Sequence, residues 1–350
     1  MKVVSVVGAR PQFVKAAAVS RELRARHDEF LVHTGQHYDY EMSDVFFEGL
    51  EIPPPDVNLG VGSGPHGSQT GVMLKGIEEV LMLRRPDWLI IYGDTNSTLA
   101  GALAASKLSL PVAHIEAGLR SFNRRMPEEI NRVVTDHLSN LLLCPSDTAV
   151  SNLAAEGISQ NVHVVGDVML DVLNWARRRV DTRPAEVMNR LGLREKSYVL
   201  ATVHRSENTD DWTRLSHILC AFNSLDEPVV FPVHPRARRV ITAAQWQPKP
   251  HVKLVDPVGY LEMVALVRSA RLILTDSGGL QKEAYWLRVP CLTLREETEW
   301  VETVQVGWNT LVGSDSERII QAARSFVPAN SCPVLYGDGY AAGKCVDLLE

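Results

Sequence analysis

The sequence predicts an α/β protein built from two parallel sheets, each covered by helices on both faces. Three observations lead to this class. Short, continuous apolar runs recur along the whole chain. Segments of about 10 to 20 residues with a helical period of 3.6 separate most of these runs. The chain has 350 residues, more than one hydrophobic core usually spans, so two domains are expected.

The apolar runs predict strands in both halves of the chain. In the first half they are 3–7, 30–33, 88–92, 112–115, 141–144 and 162–165. In the second half they are 198–202, 229–233, 252–255, 272–274, 291–294 and 310–312. Segments between them, such as 132–140 and 259–268, have helical periodicity. Continuous apolar strands that alternate with helices are typical of parallel sheets buried on both faces, so each half predicts one doubly wound sheet.

The composition argues against nucleic acid and membranes as partners. The net charge is −6 and the pI is about 6.0, whereas nucleic-acid-binding proteins usually carry a basic excess. No stretch approaches the roughly 18 apolar residues of a membrane span, and the N-terminus lacks the features of a signal peptide. The five cysteines are far apart and form no C-x-x-C pair, which is typical of reduced cytosolic thiols. We therefore expect a cytoplasmic protein, and its charge is compatible with a small anionic ligand.

Charged residues follow the predicted strands of the first half, at the sheet edge where open α/β proteins bind their ligands. Asp94 and Glu116 each come directly after a strand, and Glu128, Glu129 and Arg132 follow further along. Proline followed by two acids is also usual at a helix start, because acids favour the positive end of the helix dipole. That explanation covers the pair at 128–129 but not the two strand-end carboxylates, so a functional role and a structural one both stay open.

The N-terminal segment GARPQFVK places two cations at the start of a predicted helix. The first strand leads through Gly8 to Arg10 and Lys15. A strand, a tight turn and a helix start together form a common anion site. Only one of the three glycines of a dinucleotide-binding loop is present, so we expect the anion to be met by side chains instead of a close-packed backbone.

The second half carries two strand-end histidines and a glycine turn. His204, followed by Arg205, and His234 come after successive predicted strands. In LILTDSGGLQKEA, the turn Ser277-Gly278-Gly279 begins a helix that carries Glu283. Such a turn lets backbone N–H groups approach a phosphate, and the glutamate can accept hydrogen bonds from a ribose, although a plain serine-capped turn is the alternative. No P-loop, G-x-G-x-x-G or H-E-x-x-H motif is present, and no ligand cluster indicates a metal.

Nine short motifs give the sequence a clear resemblance to one family. They are GARPQFVKAAAV, TGQH, YGDTNSTLAGALAA, HIEAGLRS, MPEEINRVVTDHLS, VGDVMLD, TVHRSEN, TDSGGLQKEA and TLREETEWVE. In this order and spacing they resemble the non-hydrolysing UDP-N-acetylglucosamine 2-epimerases over nearly the whole chain. The resemblance implies two Rossmann-like domains in the glycosyltransferase B arrangement, with a cleft between them. It also implies a homodimer and a reaction that needs neither a metal nor a redox cofactor.

The resemblance also assigns domains and site residues. We expect a first domain at 1–168, completed by a C-terminal helix at 338–350, and a UDP-binding domain at 169–337, joined near 167–195. The family eliminates UDP from UDP-GlcNAc to give 2-acetamidoglucal and then adds UDP back, which inverts C2. The expected catalytic residues are Asp94, Glu116, Glu128 and His204. The expected substrate-binding residues are Arg10, Lys15, Arg132, Arg205, His234, Ser277, Gly278, Gly279 and Glu283.

Three departures from the family pattern bear on the substrate. The stretch between Glu116 and Glu128 is about two residues shorter than in the best-known bacterial members, YDYEM follows Gln36-His37, and Trp300-Val301 replaces the common Arg-Pro. These departures resemble the branch that acts on modified sugars such as UDP-2,3-diacetamido-2,3-dideoxyglucuronate. Arg124 and Arg125 in the shortened stretch are candidates to meet its carboxylate, or are solvated surface charges.

The other hypotheses are a hydrolysing 2-epimerase, a glycosyltransferase of the same architecture and a catalytically silent UDP-sugar-binding module. The clustered carboxylates argue against the last two.

Overall fold

The computed structural model describes residues 1–36, 54–180 and 186–350. These residues form two compact units. Unit 1 contains Met1–Asn174 and Val334–Glu350, and unit 2 contains Trp175–Pro333. Both units are α/β, with parallel strands alternating with helices along the chain, so the fold class predicted from the sequence is confirmed. The segment YDYEM lies outside the described residues.

Unit 1 is built on a parallel sheet with the strand order β3-β2-β1-β4-β5-β6-β7. The strands are β1 Lys2–Val7, β2 Asp28–His33, β3 Val57–Asn58, β4 Trp88–Tyr92, β5 Val112–Ile115, β6 Leu141–Cys144 and β7 Val162–Val164. The central strands β4, β5 and β6 are almost wholly buried, as their continuous apolar runs predict. All six predicted strands of this half are confirmed. The sequence missed β3, because this edge strand has only two residues and carries no apolar run.

Helices cover the sheet of unit 1. They are α1 Arg10–Arg26, α2 His66–Arg84, α3 Asn96–Lys107, α4 Pro127–Leu138, α5 Asp147–Ala155, α6 Val168–Val180, which continues into unit 2, and a C-terminal helix, Ala341–Asp347. Helix α2 buries Met73, Ile77 and Leu81 against the alanine-rich α3, where Ala100 and Ala104 leave room for them. The C-terminal helix belongs to unit 1 and lies against α1.

Unit 2 is built on a second parallel sheet with the strand order β10-β9-β8-β11-β12-β13. The strands are β8 Val199–Thr202, β9 Val229–Pro232, β10 Val252–Val255, β11 Leu272–Thr275, β12 Cys291–Thr293 and β13 Asn309–Leu311. Each agrees with a predicted run to within one residue at either end, so this half is also confirmed. The rings of Phe222 and Phe231 meet edge to face in its core, with centroids 5.5 Å apart.

The helices of unit 2 lie between these strands. They are α7 Glu186–Arg190, α8 Ser206–Thr209, α9 Trp212–Ser224, α10 Pro235–Ala243, α11 Tyr260–Ser269, α12 Gly278–Trp286, α13 Val301–Gln305 and α14 Ser316–Ser325, and the C-terminal helix of unit 1 is therefore α15. Within the described parts of the chain, no helix combines the length and the apolar character that crossing a bilayer requires.

Candidate active site

The carboxyl ends of three neighbouring strands bring the predicted residues of unit 1 together. Strand β4 pairs with β1 on one side and with β5 on the other, and all three are parallel. Tyr92, the last residue of β4, lies opposite Ile115, the last residue of β5. The turns that follow these strands therefore share one edge of the sheet, and they carry Asp94 and Glu116.

Lys15 of α1 reaches this edge and pairs with Glu116. Its Nζ lies 2.5 Å from Oε1 of Glu116, and both side chains are buried. Burial alone would lower the pKa of Lys15, but the carboxylates of Glu116 and then Asp94 outweigh it and raise the pKa above its ordinary value. Lys15 is therefore an ammonium at neutral pH, and it stands beside both strand-end carboxylates.

Gly93 leaves the space in which this ion pair forms. A Cβ added to Gly93 would lie 3.0 Å from the Lys15 Nζ and 3.4 Å from the Glu116 Oε1. The backbone of Gly93 also has a φ of +61°, which side chains rarely adopt. Position 93 thus requires glycine for two reasons: the turn needs a positive φ, and a side chain would crowd the ion pair between Lys15 and Glu116.

Glu116 adopts an unusual backbone conformation. Its φ is +72°, in the left-handed region that a non-glycine residue enters only at a cost of about 1–3 kcal/mol. The Glu116 amide donates a hydrogen bond of 3.0 Å to the Leu143 carbonyl of β6, which holds the turn. Strain of this kind concentrates at functional positions, and here it directs a carboxylate toward the Lys15 ammonium.

Asp94 is held by Arg132 of α4. The guanidinium donates from Nε at 3.0 Å and from Nη2 at 2.7 Å, and both bonds go to Oδ2 of Asp94. The second oxygen, Oδ1, receives no hydrogen bond from the described residues. The Asp94 side chain is 28% exposed, whereas that of Arg132 is only 3% exposed. Asp94 is thus a fixed carboxylate that presents one oxygen to a ligand.

The structure separates the two adjacent glutamates at the start of α4. Glu129 is buried and accepts hydrogen bonds from the Ser121 amide, the Ser121 hydroxyl and the Phe122 amide, each 2.9 Å long. Burial alone would raise the pKa of Glu129, but these bonds and Arg132 lower it. Glu128 is half-buried and has no hydrogen bond or ion pair with a described residue. Glu129 therefore fixes the loop before α4, and Glu128 is the glutamate available for chemistry.

The N-terminal turn is shaped by packing as well as by its cations. A Cβ on Gly8 would lie only 2.0 Å from the Ser97 Oγ and 2.2 Å from the Thr34 Oγ1. The buried Gln12 side chain accepts from the Gly8 amide at 2.8 Å and donates to the Tyr92 carbonyl at 2.8 Å. Arg10 begins α1, but its side chain lies outside the described residues.

In unit 2, a buried aspartate orients His204. Strands β8 and β11 are neighbours, so His204 and Asp276, which follow them, meet at one sheet edge. Nδ1 of His204 lies 2.9 Å from Oδ1 of Asp276. Burial alone would raise the pKa of Asp276, but His204 and the surrounding hydrogen-bond donors hold it below its usual value. The ionised carboxylate accepts a hydrogen bond from Nδ1–H, which leaves Nε2 of the 41% exposed ring to act on a ligand.

Arg205 and His234 flank His204. The amide of Arg205 donates to the Asp276 carboxylate and its Nε donates to the Asp276 carbonyl, both at 3.1 Å. The ring of His234 lies 6.0 Å from that of His204 and caps α10 by accepting the Arg236 amide at 3.2 Å. The three predicted residues therefore form one cluster with Asp276. Sequence reasoning missed Asp276, although an aspartate directly after a buried strand was the signal available.

The predicted phosphate turn begins α12. Ser277 caps this helix by accepting the Leu280 amide at 3.4 Å, and Gly278 and Gly279 form its first turn. Glu283 is buried and accepts a hydrogen bond of 2.9 Å from the Tyr260 hydroxyl. Helix N-termini carry free N–H groups and a partial positive charge, so this turn is suited to a phosphate.

Trp300, one of the departures from the family pattern, packs beside the same helix. The Nζ of the buried Lys282 lies 3.6 Å from the centroid of the Trp300 ring.

Within the described residues, no group of three or more histidine, cysteine, aspartate or glutamate side chains could hold a metal ion.

The predicted site residues thus fall into two groups. Unit 1 holds Asp94, Glu116, Glu128, Lys15 and Arg132, and unit 2 holds His204, Arg205, His234, Ser277, Gly278, Gly279 and Glu283. The first group combines carboxylates with buried cations, which suits proton transfer. The second combines an oriented histidine with a helix N-terminus, which suits an anion.

Comparison with known proteins identifies the family. The sequence profile of the UDP-N-acetylglucosamine 2-epimerase family matches residues 21–350. A UDP-N-acetylglucosamine 2-epimerase homolog of Methanococcus maripaludis is 53% identical over 100% of this chain and 99% of its own. The UDP-2,3-diacetamido-2,3-dideoxy-D-glucuronate 2-epimerase of Pseudomonas aeruginosa is 48% identical over the same shares. The crystal structure of Methanocaldococcus jannaschii UDP-GlcNAc 2-epimerase in complex with UDP-GlcNAc and UDP matches with a TM-score of 0.94 and 42% identity, covering 100% of this chain and 99% of that one. The chain therefore belongs to the UDP-N-acetylglucosamine 2-epimerase family.

Proposed function

We propose that the protein interconverts UDP-GlcNAc and UDP-ManNAc by inverting C2 of the sugar. Family membership and the complex of the Methanocaldococcus jannaschii protein with UDP-GlcNAc and UDP support this substrate. The observation that carries the proposal is the pair of strand-end carboxylates, Asp94 held by Arg132 and Glu116 held by Lys15. Two carboxylates with different partners are suited to remove a proton and return one.

In the proposed reaction, a carboxylate of unit 1 takes the proton from C2. The electrons of the C2–H bond form a double bond between C1 and C2, and the C1–O bond breaks, so that UDP leaves with its electron pair. Addition of a proton to the opposite face of C2 and return of UDP to C1 complete the inversion. Asp94 and Glu116 are the residues we assign nearest to these transfers, with Glu128 as a third acid–base group.

Unit 2 holds the nucleotide in this proposal. The turn of Ser277, Gly278 and Gly279 meets a phosphate, and Glu283 accepts from the ribose hydroxyls. His204, oriented by Asp276, together with Arg205 and His234 stabilises the negative charge that develops on the departing UDP. Arg10, Lys15 and Arg132 supply further positive charge from unit 1. Unit 1 is thus the catalytic domain and unit 2 the UDP-binding domain.

A second candidate substrate is a modified sugar nucleotide such as UDP-2,3-diacetamido-2,3-dideoxyglucuronate. The 48% identity to the Pseudomonas aeruginosa relative favours it. The short loop before α4 also carries Arg124 and Arg125, which are exposed and available to a sugar carboxylate. Epimerisation at C2 would proceed through the same carboxylates.

The resemblance further supports a cytoplasmic homodimer whose partner is the UDP-sugar and not nucleic acid or a membrane. Light scattering on the purified protein tests the oligomeric state: a mass of twice 38.8 kDa is expected, and a mass of 38.8 kDa would contradict it.

Incubation with UDP-GlcNAc in D2O, without added metal, tests the function. We expect NMR to show deuterium at C2 and a minor equilibrium amount of UDP-ManNAc. Stoichiometric release of free ManNAc would instead indicate the hydrolysing reaction. Exchange with the diacetamido-glucuronate nucleotide but not with UDP-GlcNAc would select the second candidate, and no exchange with either would refute the proposal.

A further inference from the structure

We propose that His114 is a positioning residue, a buried imidazolium that joins the two turns carrying Asp94 and Glu116. The effect of His114 on the reaction rate rests on the proposed function, whereas its protonation does not. His114 lies in β5, and its side chain is fully buried. His114 is the first residue of the motif HIEAGLRS, but the resemblance assigns it no catalytic or substrate-binding role.

Both ring nitrogens of His114 make short hydrogen bonds to oxygen atoms. Nδ1 lies 2.7 Å from Oδ1 of Asp136, and Nε2 lies 2.7 Å from the carbonyl oxygen of Gly93. A carbonyl oxygen can only accept a hydrogen bond, and so can an ionised carboxylate. A neutral imidazole has only one N–H, so it could satisfy one of these partners but not both. With an ionised carboxylate at Asp136, these two hydrogen bonds require a proton on each nitrogen.

Asp136 is ionised in this environment. Burial alone would raise its pKa, but the hydrogen bonds and charges of His114 and Arg120 lower it. Nη1 of Arg120 lies 2.7 Å from Oδ2 of Asp136, and the same guanidinium binds Glu156 through Nε at 2.7 Å and Nη2 at 2.8 Å. Two cations therefore face two carboxylates, and the charge on the imidazolium is balanced within the cluster.

The cluster contacts both turns of the candidate active site. The carbonyl that His114 binds belongs to Gly93, which directly precedes Asp94. Oδ2 of Asp136 accepts the amide of Gly118, two residues after Glu116, at 3.1 Å. The imidazolium of His114 thus fixes the backbone just before Asp94, and the carboxylate of Asp136 fixes the backbone just after Glu116.

Helix α4 holds the Asp94 turn through two of its side chains, Arg132 and Asp136. Asp136 and Arg132 are four residues apart on α4 and share one face of it. Arg132 holds the carboxylate of Asp94, while Asp136 holds the histidine that binds the preceding carbonyl. Loss of one proton from His114 would leave either the Gly93 carbonyl or the Asp136 carboxylate without a donor and would release the Asp94 turn. A displacement of about 1 Å at such a site can cost about 100-fold in rate.

The test combines NMR with kinetics on the full-length protein and uses His114→Gln. Glutamine carries one amide nitrogen and cannot donate to both oxygens in the geometry of the ring. We expect the rate of C2 deuterium exchange at saturating UDP-GlcNAc to fall at least 10-fold, with less than a 2-fold change in the Kd of UDP. The matched control is His137→Gln, at an exposed histidine on α4 that hydrogen-bonds the Val133 carbonyl and lies 3.9 Å from Glu156 Oε2. An ion pair this exposed contributes little, so the variant should leave the rate unchanged.

In the wild-type protein labelled with 15N-histidine, the imidazole of His114 should show two protonated nitrogens under the conditions of the kinetic assay. This signal should be absent in His114→Gln. A single N–H on His114, or a wild-type exchange rate in His114→Gln, would overturn the inference. If the variant does not fold, neutron diffraction on the wild type decides the point: deuterium on both nitrogens supports the inference and deuterium on one refutes it. Absence of C2 exchange in the wild type would refute the proposed function and the positioning role, yet it would leave the protonation state measurable.

Discussion

Replacement of Lys15 by methionine should destabilise the protein, because it removes one partner of a buried ion pair. Methionine keeps most of the apolar length of the side chain but leaves Glu116, which is only 9% exposed, without its ammonium. Breaking a buried pair in this way typically costs about 3–5 kcal/mol. For a unit of this size, about 2–4 °C is lost per kcal/mol, so we expect the melting temperature to fall by roughly 6–20 °C.

The pH dependence of this loss follows from linkage. In the wild type the pKa of Lys15 is raised above 10.5, so its stabilising contribution is complete at neutral pH and is lost only as the pH rises through the folded-state pKa. In Lys15→Met the buried Glu116 carboxyl has lost the Lys15 ammonium, and it binds a proton more readily when folded than when unfolded. The deficit should therefore shrink as the pH is lowered.

Urea unfolding at pH 5 and pH 7.5 measures the effect, with two further variants as references. The double variant Lys15→Met/Glu116→Gln should be more stable than Lys15→Met, because it also removes the buried negative charge that Lys15 compensates. Lys75→Met, on an exposed site of α2, should change stability by less than about 0.5 kcal/mol. Equal stability of the single and double variants, or a deficit independent of pH, would refute the reasoning.

Three further predictions concern other parts of the structure. Asp276→Asn should remove the anion that orients His204 and lower turnover by about 100-fold while leaving UDP binding within about 3-fold, as measured by single-turnover kinetics and calorimetry. Gly93→Ala should cost about 1–2 kcal/mol in urea unfolding, because it forces a side chain into a left-handed backbone, and should also slow C2 exchange. The pKa of Asp171 is raised from 3.8 to about 6, chiefly by burial, so the free energy of unfolding should decrease as the pH rises from about 4 to 6. In a pH series of unfolding curves, Asp171→Asn should abolish this decrease.

Matched controls or contradicting outcomes accompany these predictions. Asp256→Asn alters a largely exposed aspartate in unit 2 and should not change turnover, whereas equal effects of the two asparagine variants would contradict the role of Asp276. Gly71→Ala lies in α2 with no atom near the added methyl group, so it should not destabilise. An unchanged pH slope in Asp171→Asn would show that another group is responsible.

The strands were predictable because they depend on local apolar runs. Strands β4, β5, β6 and β10 have the predicted bounds, and the others differ by at most two residues at an end. Among the described strands, β3 alone escaped prediction, since a strand of two residues carries no periodic signal. The two parallel sheets follow from these runs and from the helices between them.

The partners within the site were not predictable, because they depend on tertiary contacts. Lys15 and Glu116 are 101 residues apart in sequence and meet only because β1, β4 and β5 are neighbours in the sheet. Residue type alone could not tell Glu128 from Glu129, since both suit a helix start. The family resemblance selected Glu128, and the fold of the preceding loop buries Glu129. Gly8 resembled part of an anion-binding turn, whereas its immediate neighbours are the side chains of Ser97 and Thr34.

The central claim is that the strand-end carboxylates of unit 1 carry the proton transfers at C2. Its most direct test is the rate of deuterium incorporation at C2 of UDP-GlcNAc in D2O, measured for the wild type, Asp94→Asn and Glu116→Gln alongside the Kd of UDP. We predict that each variant incorporates deuterium at least about 100-fold more slowly and binds UDP with little change. Wild-type incorporation rates in both variants would contradict the claim.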